Sequence, residues 1–289
     1  MAKTFKSAAD FRISLEHRLK QAAAEGGVPL ASLRLKVVIE RLLARLFAAP
    51  AAPWLLKGGY AMELRYRPKA RTTKDIDLSV TSVEGELAAR LAQIRDELQA
   101  AADNQLSDHF VFQIGSPSTE LQGAPGGGAR FPVNALLAGR TFARFHIDVG
   151  FGDPAISAPE ELIGQDFLAF AGIPPAKALA IPRAQQFAEK LHAYTLPWND
   201  RPNTRVKDLV DLVLFITSDP PKADALHAAI QATFDARKTH PIPDKLPPPP
   251  ASWAPVFTAM AREAGLSPDS LGGAVPILQA YFDDLRRSE

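Results

Sequence analysis

The sequence predicts an α+β fold: a mixed sheet carrying helices, preceded by N-terminal helices and followed by a helical domain. Three observations predict it. Apolar residues recur at helical spacing through residues 6–50 and again after Pro154. Residues 75–80 alternate strictly between polar and apolar. Two further alternating runs, 130–137 and 141–151, flank Ala138-Gly139-Arg140 as a hairpin would.

Each element follows from its own pattern. In residues 6–50, Leu15, Leu19 and Ala22 mark one helix, and Leu33, Val37, Ile39, Leu42 and Leu46 mark a second. Gly26, Gly27 and Pro29 separate them. The short apolar run Trp54-Leu55-Leu56 ends in Lys57-Gly58-Gly59, and a short helix is expected over 60–67. A strand over 75–80 precedes a long helix over 83–102, striped by Leu87, Leu91, Ile94 and Leu98. Residues 109–114 read as another strand. Beyond Pro154, helices are expected over 160–170, 183–194, 203–217, 222–236 and 275–287. The proline-rich stretch 241–250 reads as stiff and extended. The predicted segments are an N-terminal helical one (1–50), a sheet core (51–155) and a helical domain (156–289) that completes the active-site cleft.

Composition removes several classes of function. The 289 residues include no cysteine, which excludes disulfides, cysteine-ligated zinc, iron–sulfur clusters and thiol catalysis. The net charge of +1 selects no polyanionic partner overall, so a nucleic-acid surface must arise from local clustering. Nothing resembles a secretory signal, and no run approaches the ~20 apolar residues of a membrane span. A soluble cytoplasmic protein without a membrane partner is expected.

The chemistry centres on Arg71-Thr72-Thr73-Lys74-Asp75-Ile76-Asp77-Leu78-Ser79-Val80. Residues two apart on a strand share a face, so Asp75, Asp77 and Ser79 lie together, opposite Ile76, Leu78 and Val80. Two adjacent carboxylates repel, and a divalent cation relieves that repulsion. Hard oxygen ligands suit Mg2+ or Mn2+. On the run 141–151, Phe142, Arg144, His146 and Asp148 fall on one face. If the two strands are neighbours, Asp148 joins Asp75 and Asp77 in a two-metal site. Gly58 and Gly59, at a strand-to-helix turn after Lys57, let backbone N–H groups reach a phosphate. The plain alternative for Asp-x-Asp alone is a solvated turn, a Gly-Gly turn alone says still less, and Asp148 alone could be a strand-end residue beside Arg144.

Two C-terminal helices add candidates. Lys190 borders the stripe Ala184, Phe187, Leu191 and Tyr194, so its ammonium can reach a cleft and meet a triphosphate, or simply cover apolar surface. Asp211 lies on a helix apolar all round and needs a partner: Lys207 is four residues earlier, and Lys190 is a spatial candidate. Asp208 shares its face, and a structural ion pair is the bland alternative. The run Arg65, Arg67, Lys69, Arg71 and Lys74 holds no acid and abuts the carboxylates. It reads either as contact with phosphates of nucleotide or RNA, or as a solvated loop.

These motifs resemble the AbiEii/AbiGii toxin family of nucleotidyltransferases, which includes the MenT toxins. The likeness rests on Leu56-Lys57-Gly58-Gly59 with Ala61-Met62-Glu63-Leu64-Arg65, on the Arg71–Leu78 run, on Asp148, on Glu189-Lys190-Leu191-His192-Ala193, and on Arg205-Val206-Lys207-Asp208-Leu209-Val210-Asp211-Leu212. It spans roughly residues 50 to 260. It implies a polymerase-β-like nucleotidyltransferase core with an added helical domain, and a toxin of a toxin–antitoxin or phage-defence system with a separately encoded antitoxin. The expected reaction is transfer from an NTP to RNA, above all the tRNA 3′ end. Carried over by position, Asp75 and Asp77 hold metal, Lys190 binds the triphosphate and Asp211 is a further active-site residue. Tyr60 stands where many such enzymes have serine, so Thr72 or Thr73 would have to supply the hydroxyl.

Two alternatives differ in class. Asp75-Ile-Asp77-Leu-Ser79 superficially fits the haloacid-dehalogenase phosphohydrolases, although polar residues precede it where a buried strand is needed. A degenerate nucleotidyltransferase could instead bind nucleotide or protein without turnover. The basic run favours an RNA acceptor, reached by Arg65, Arg67, Lys69 and Arg71, with Arg201, Arg205 and Lys207 on the C-terminal helices.

Overall fold

The computed structural model describes residues 5–71, 73–80, 85–121, 123–198 and 203–287. In chain order its elements are helices α1 (Ala8–Gly26) and α2 (Leu30–Leu46), strand β1 (Trp54–Lys57), helix α3 (Gly58–Tyr66), strand β2 (Asp75–Val80) and helix α4 (Leu87–Ala102). Strands β3 (Phe110–Ile114), β4 (Thr119–Glu120), β5 (Gly128–Leu137), β6 (Arg140–Phe151), β7 (Glu160–Ile163) and β8 (Lys177–Ala180) follow. Helices α5 (Arg183–Thr195), α6 (Val206–Ser218), α7 (Ala223–Arg237), α8 (Ala254–Glu263) and α9 (Leu271–Arg287) complete the chain. Among the described residues no helix is long and apolar enough to cross a membrane.

The chain packs as two units. The first comprises Met1–Leu56, Lys74–Gly152 and Glu161–Ala180; the second comprises Lys57–Thr73, Asp153–Glu160 and Ile181–Glu289. This division departs from the three consecutive segments expected. The N-terminal helices belong with the sheet, and the stretch 57–73 belongs with the C-terminal helices.

In the first unit a mixed sheet runs β3-β5-β6-β2-β1-β8-β7, with β4 beside β5. Strand β2 lies parallel to β6, β1 parallel to β8, and β5 antiparallel to both β3 and β6. Alternation buries Ile76, Leu78, Phe131, Val133, Ile147 and Val149 against the apolar side of α2, where Val37, Val38, Ile39, Leu42 and Leu43 are fully buried. Helix α1 starts at Ser7, whose hydroxyl accepts from the Asp10 N–H at 3.1 Å.

Strand β3 is an edge, and its outward backbone groups are capped by side chains. Gln99 accepts from the Ile114 N–H and donates to the Phe112 carbonyl; Arg45 donates to the Phe110 carbonyl; Asp108 accepts from the Phe110 N–H. This closes the edge to stray strand pairing. Asp108 is wholly buried and bound by Arg45 at 2.6 Å and Arg41 at 2.7 Å. Burial pushes its pKa up, but the hydrogen bonds and charges of Arg45 and Arg41 outweigh that and hold it below the usual carboxylate range.

The hairpin between β5 and β6 turns through Ala138 and Gly139, both at positive φ (51° and 70°), which is the type I′ geometry. Farther on the ladder slips: Leu136 pairs with Thr141, but Ala135 pairs with Ala143. Phe142 is the extra residue of this bulge. It turns inward, 7% exposed, and meets Phe110 edge-on. Placing Phe142 on the polar face with Arg144 and His146 is therefore corrected.

The expected helix over 160–170 is also corrected. Residues 160–163 and 177–180 are strands β7 and β8, with only a short 3-10 turn at Ala169–Ala171 between them. Helix α8, not anticipated, follows the proline-rich stretch.

The second unit is built around α6. Its residues Leu209, Val210, Leu212, Val213 and Phe215 are fully buried, as expected for a helix apolar all round. Phe187, Leu191, Leu226, Phe257 and Phe282 complete this core. The stretch 241–250 forms no helix or strand; Tyr194 donates to the Pro247 carbonyl and Arg286 to that of Pro243. Beside it, Thr195 donates to the Leu191 carbonyl and so accepts from His240 Nε2. His240 Nδ1 then accepts from Thr239, which accepts from His192 Nε2. The chain is complete with both imidazoles neutral.

Candidate active site

The parallel register sets the carboxylates. Asp75 pairs with His146 and Asp77 with Asp148, so all three aspartates lie on one face of the sheet. The antiparallel register adds Arg130 opposite Asp148. Arg130 Nε and Nη2 each donate to Asp148 at 2.7 Å, and Nη2 lies 4.0 Å from Asp75. His146 Nδ1 lies 3.5 Å from Asp75. Arg130 is held firmly charged, first by its hydrogen bonds to Asp148, against slight burial, then by the charges of Asp148, Asp75 and Asp77. Its guanidinium thus marks the point where the three carboxylates concentrate negative charge.

Among the described residues no three histidine or acidic side chains are gathered as a ready metal cage. The donor set nonetheless fits a hard divalent cation. The face already accepts a positive group at this point, and its donors are carboxylate oxygens. Arg130 was missed in the sequence; its signal was its place on the partner strand of the hairpin.

The second unit carries the other nominated residues. Gly58 opens α3 at φ 65°, a left-handed conformation that favours glycine. A Cβ on Gly59 would lie 2.8 Å from Thr73 Oγ1, so glycine there lets the Thr73 hydroxyl approach the turn. The Gly58 carbonyl accepts from Gln186 at 2.6 Å. Lys57 is not extended toward solvent: its ammonium bonds Asp153 and Glu189, and Arg237 bonds the same two carboxylates. Burial alone would lower the Lys57 pKa, but Glu189 and Asp153 raise it. Thr72 and Arg201 lie outside the described residues.

Lys190 and Asp211 meet at 2.6 Å, and Arg71 binds Asp211 at 3.0 Å. Asp211 therefore has its partners, and Lys207, which is exposed, is not one of them. Lys190 is 7% exposed and also lies 3.6 Å from Asp208, so it is a buried lysine rather than a surface one. Burial opposes charge on Lys190 and Asp211, yet their mutual attraction prevails, raising the lysine and lowering the aspartate. Asp208 is raised, chiefly by burial.

The basic run divides. Arg65 is bound inside by Gln186, Glu160 and the Ile181 carbonyl, and Arg71 by Asp211. Their guanidinium groups are engaged within the protein, where contact with RNA was expected. Arg67 and Lys69 are exposed. One cavity, of about 760 Å³, is lined by Gln231, Phe234, His240 and Ile242 among others, and Lys190 and Asp211 are not among its lining residues.

The sequence model of the "Nucleotidyl transferase AbiEii toxin, Type IV TA system" family matches residues 41–284. The chain belongs to this family. A nucleotide substrate and a cognate antitoxin come with that membership, which also displaces the phosphohydrolase alternative. No curated protein matches the sequence. Among solved structures the fold is similar to MenT4, a nucleotidyltransferase toxin from Mycobacterium tuberculosis H37Rv, at TM-score 0.58 and 16% identity, over 89% of this chain and 84% of that one. It also matches JHP933 from Helicobacter pylori at TM-score 0.45 and 12% identity, over 89% and 95% of the two chains. At these identities the first likeness speaks for the fold alone.

Proposed function

We propose that this chain transfers a nucleoside monophosphate from an NTP to RNA, with the 3′ end of tRNA as acceptor and arrested translation in the cytoplasm as the result. The observation that carries this reading is the row Asp75, Asp77 and Asp148, brought to one face by the β2–β6 register. A shared carboxylate face suits a reaction in which charge builds on phosphoryl oxygens and pyrophosphate leaves.

Asp75 and Asp77, with Asp148, would hold Mg2+ or Mn2+, which supplies Lewis-acid stabilisation of that charge when bound. Gly58 and Gly59 offer backbone N–H groups to the phosphates, with the Thr73 hydroxyl in place of the serine that Tyr60 replaces. Lys190 binds the triphosphate by charge, and Asp211 orients both Lys190 and Arg71. Lys57 supports the turn through Asp153 and Glu189. Arg67 and Lys69 contact the RNA backbone, so acceptor binding weakens steeply with salt.

The test is incubation of the protein with each labelled NTP, magnesium and total bacterial RNA, followed by electrophoresis. Label is expected in tRNA, and Asp77→Ala is expected to abolish it while the circular dichroism spectrum is unchanged. Label on protein or a small molecule, with RNA unlabelled, would overturn the acceptor; wild-type rates in Asp77→Ala would overturn the metal assignment.

A further inference from the structure

Beyond the carboxylates, the same face of the sheet continues as an open surface. Moving away from Asp77 and Asp148, the next row is Pro132 beside His146, which in turn pairs with Asp75. The row after it is Gln113, Asn134 and Arg144 across three strands, then Val111 beside Leu136. Gln113 and Arg144 are exposed, His146 is 43% exposed and Val111 51%. Asn134 donates to Gln113 at 3.0 Å and accepts from Thr141 at 3.1 Å, so the amides are fixed rather than loose. A Cβ on Gly115 would lie 2.7 Å from the Pro132 ring; glycine there leaves that ring room on the surface.

Three features of this surface point to one occupant. It carries partly exposed rings at Pro132 and His146, hydrogen-bonding amides at Gln113 and Asn134, and a cation at Arg144. Its acid lies at the reacting end, where Asp75 is 3.5 Å from His146; the row Gln113, Asn134 and Arg144 beyond it carries none. It is continuous with the proposed reacting groups. A duplex would call for several phosphate-binding cations and shows its bases only edge-on, whereas unstacked bases of a single strand lie flat on an open sheet. We infer that residues Gln113, Pro132, Asn134, Arg144 and His146 form a platform for the single-stranded 3′ segment of the RNA acceptor. The inference rests on the transfer reading for its direction: the 3′ end lies at Asp77 and Asp148, and the preceding nucleotides run toward Arg144. Arg144 contacts a phosphate, and the ring row stacks a base.

The experiment uses the full chain and a fluorescent 12-nucleotide single-stranded RNA. Binding is followed by anisotropy at two salt concentrations, and NTP binding is measured in parallel. Arg144→Glu is expected to weaken RNA binding by about tenfold or more and to flatten its salt dependence. Asn134→Ala with Gln113→Ala is expected to weaken it while leaving the salt slope unchanged. NTP binding and the melting temperature should stay as in the wild type in both. RNA binding by Arg144→Glu within twofold of wild type would overturn the platform, as would tighter binding of a blunt RNA duplex than of the single strand. If the wild type binds the single strand in the expected way yet labels no RNA, the platform stands and the transfer reading fails. If RNA is labelled but the platform variants label it as the wild type does, the platform fails and the transfer reading stands.

Discussion

At Arg130 two demands meet. Its guanidinium neutralises Asp148, the same carboxylate that would help to hold a metal. The two cations compete for one point of negative charge, and this makes a prediction. Arg130→Met leaves Asp75, Asp77 and Asp148 without that counter-charge, so the variant should melt below the wild type in chelator. Adding magnesium should then raise its melting temperature more than it raises that of the wild type, by linkage to binding. An equal magnesium response in both proteins would mean that the row does not take the ion. Lys190 and Asp211 allow a second test at this scale. Removing one member of a buried pair leaves a charge unmet, so Asp211→Ala should cost about 3 kcal/mol of stability. Lys190→Met combined with Asp211→Leu should recover part of that loss, because apolar residues can replace a buried pair, while Arg71 and Asp208 each lose one contact. Nucleotide binding should remain lost in the double variant; its return there would remove Lys190 from the triphosphate site. Asp75, Asp77, Asp148 and Asp211 stood out as singular residues, a polar side chain on a strand face or an acid on an apolar helix, whereas Lys190 read equally as a surface lysine until the resemblance singled it out. Their partners were less legible. Arg71 reaches Asp211 across 140 positions of sequence, and no local pattern encodes such a contact.

The bulge at Phe142 decides what the hairpin does. A regular ladder continued from Leu137 opposite Arg140 would set Arg130 opposite Ile147; the extra residue sets it opposite Asp148 instead. One inserted position thus brings the guanidinium to the carboxylates. Alternation predicted both strands and the turn, but a period-two pattern cannot show where it is interrupted, and Phe142 was placed on the wrong face for that reason. The same limit applies to residues 160–180. Glu160-Glu161-Leu162-Ile163 is too short to distinguish strand from helix, and it becomes a strand by joining the sheet beside β8. Phe142→Ala should therefore destabilise by about 3 kcal/mol, since a buried ring packed on Phe110 is lost. Urea denaturation would show it, and a change below about 0.5 kcal/mol, the range of surface substitutions, would mean that the ring is not part of the core. The turn ahead of α3 gives the companion case. Gly59→Ala forces Thr73 or Arg71 to move, with the new Cβ 2.8 Å from Thr73 Oγ1 and 3.2 Å from Arg71 Nη2. An overpacked contact of this kind costs about 1–3 kcal/mol. If the turn binds phosphate, the NTP dissociation constant should rise as well; an unchanged constant beside the stability loss would leave the turn a structural feature only.

At the scale of the whole molecule, the fold class was legible because helix and strand periods are written locally, whereas the division into two units was not. Residues 57–73 leave β1 and return to β2, yet they pack with α5 and α6 through Arg65, Tyr66 and Arg71. Such membership depends on contacts distant in sequence. The two units also carry different acid-sensitive groups, and this gives the last prediction. In the first unit, Asp108 is held below its ordinary pKa by Arg45 and Arg41 despite burial. Its folded form binds fewer protons than the unfolded one only in the carboxylate range, so the stability it provides is present above about pH 4 and is lost as pH falls below that. In the second unit, His192 is pushed down to about 3, first by burial and then by the charges of Arg237 and His240. His240 is lowered by burial as well. As pH falls through about 6.5 the unfolded chain takes up protons that the folded imidazoles refuse, so stability declines from there toward pH 3. Each histidine contributes at most about 1.4 kcal/mol per pH unit to this slope. Tryptophans can report the units separately, with Trp54 buried in the first and Trp253 in the second. Single-tryptophan variants should show Trp253 reporting weaker stability at pH 5 than at pH 7, while Trp54 changes little until about pH 4. His192→Gln should reduce the slope seen by Trp253, since glutamine does not titrate. Identical slopes from both tryptophans would mean that the two units unfold as one, and an unaltered slope in His192→Gln would mean that the imidazole is not the group that titrates.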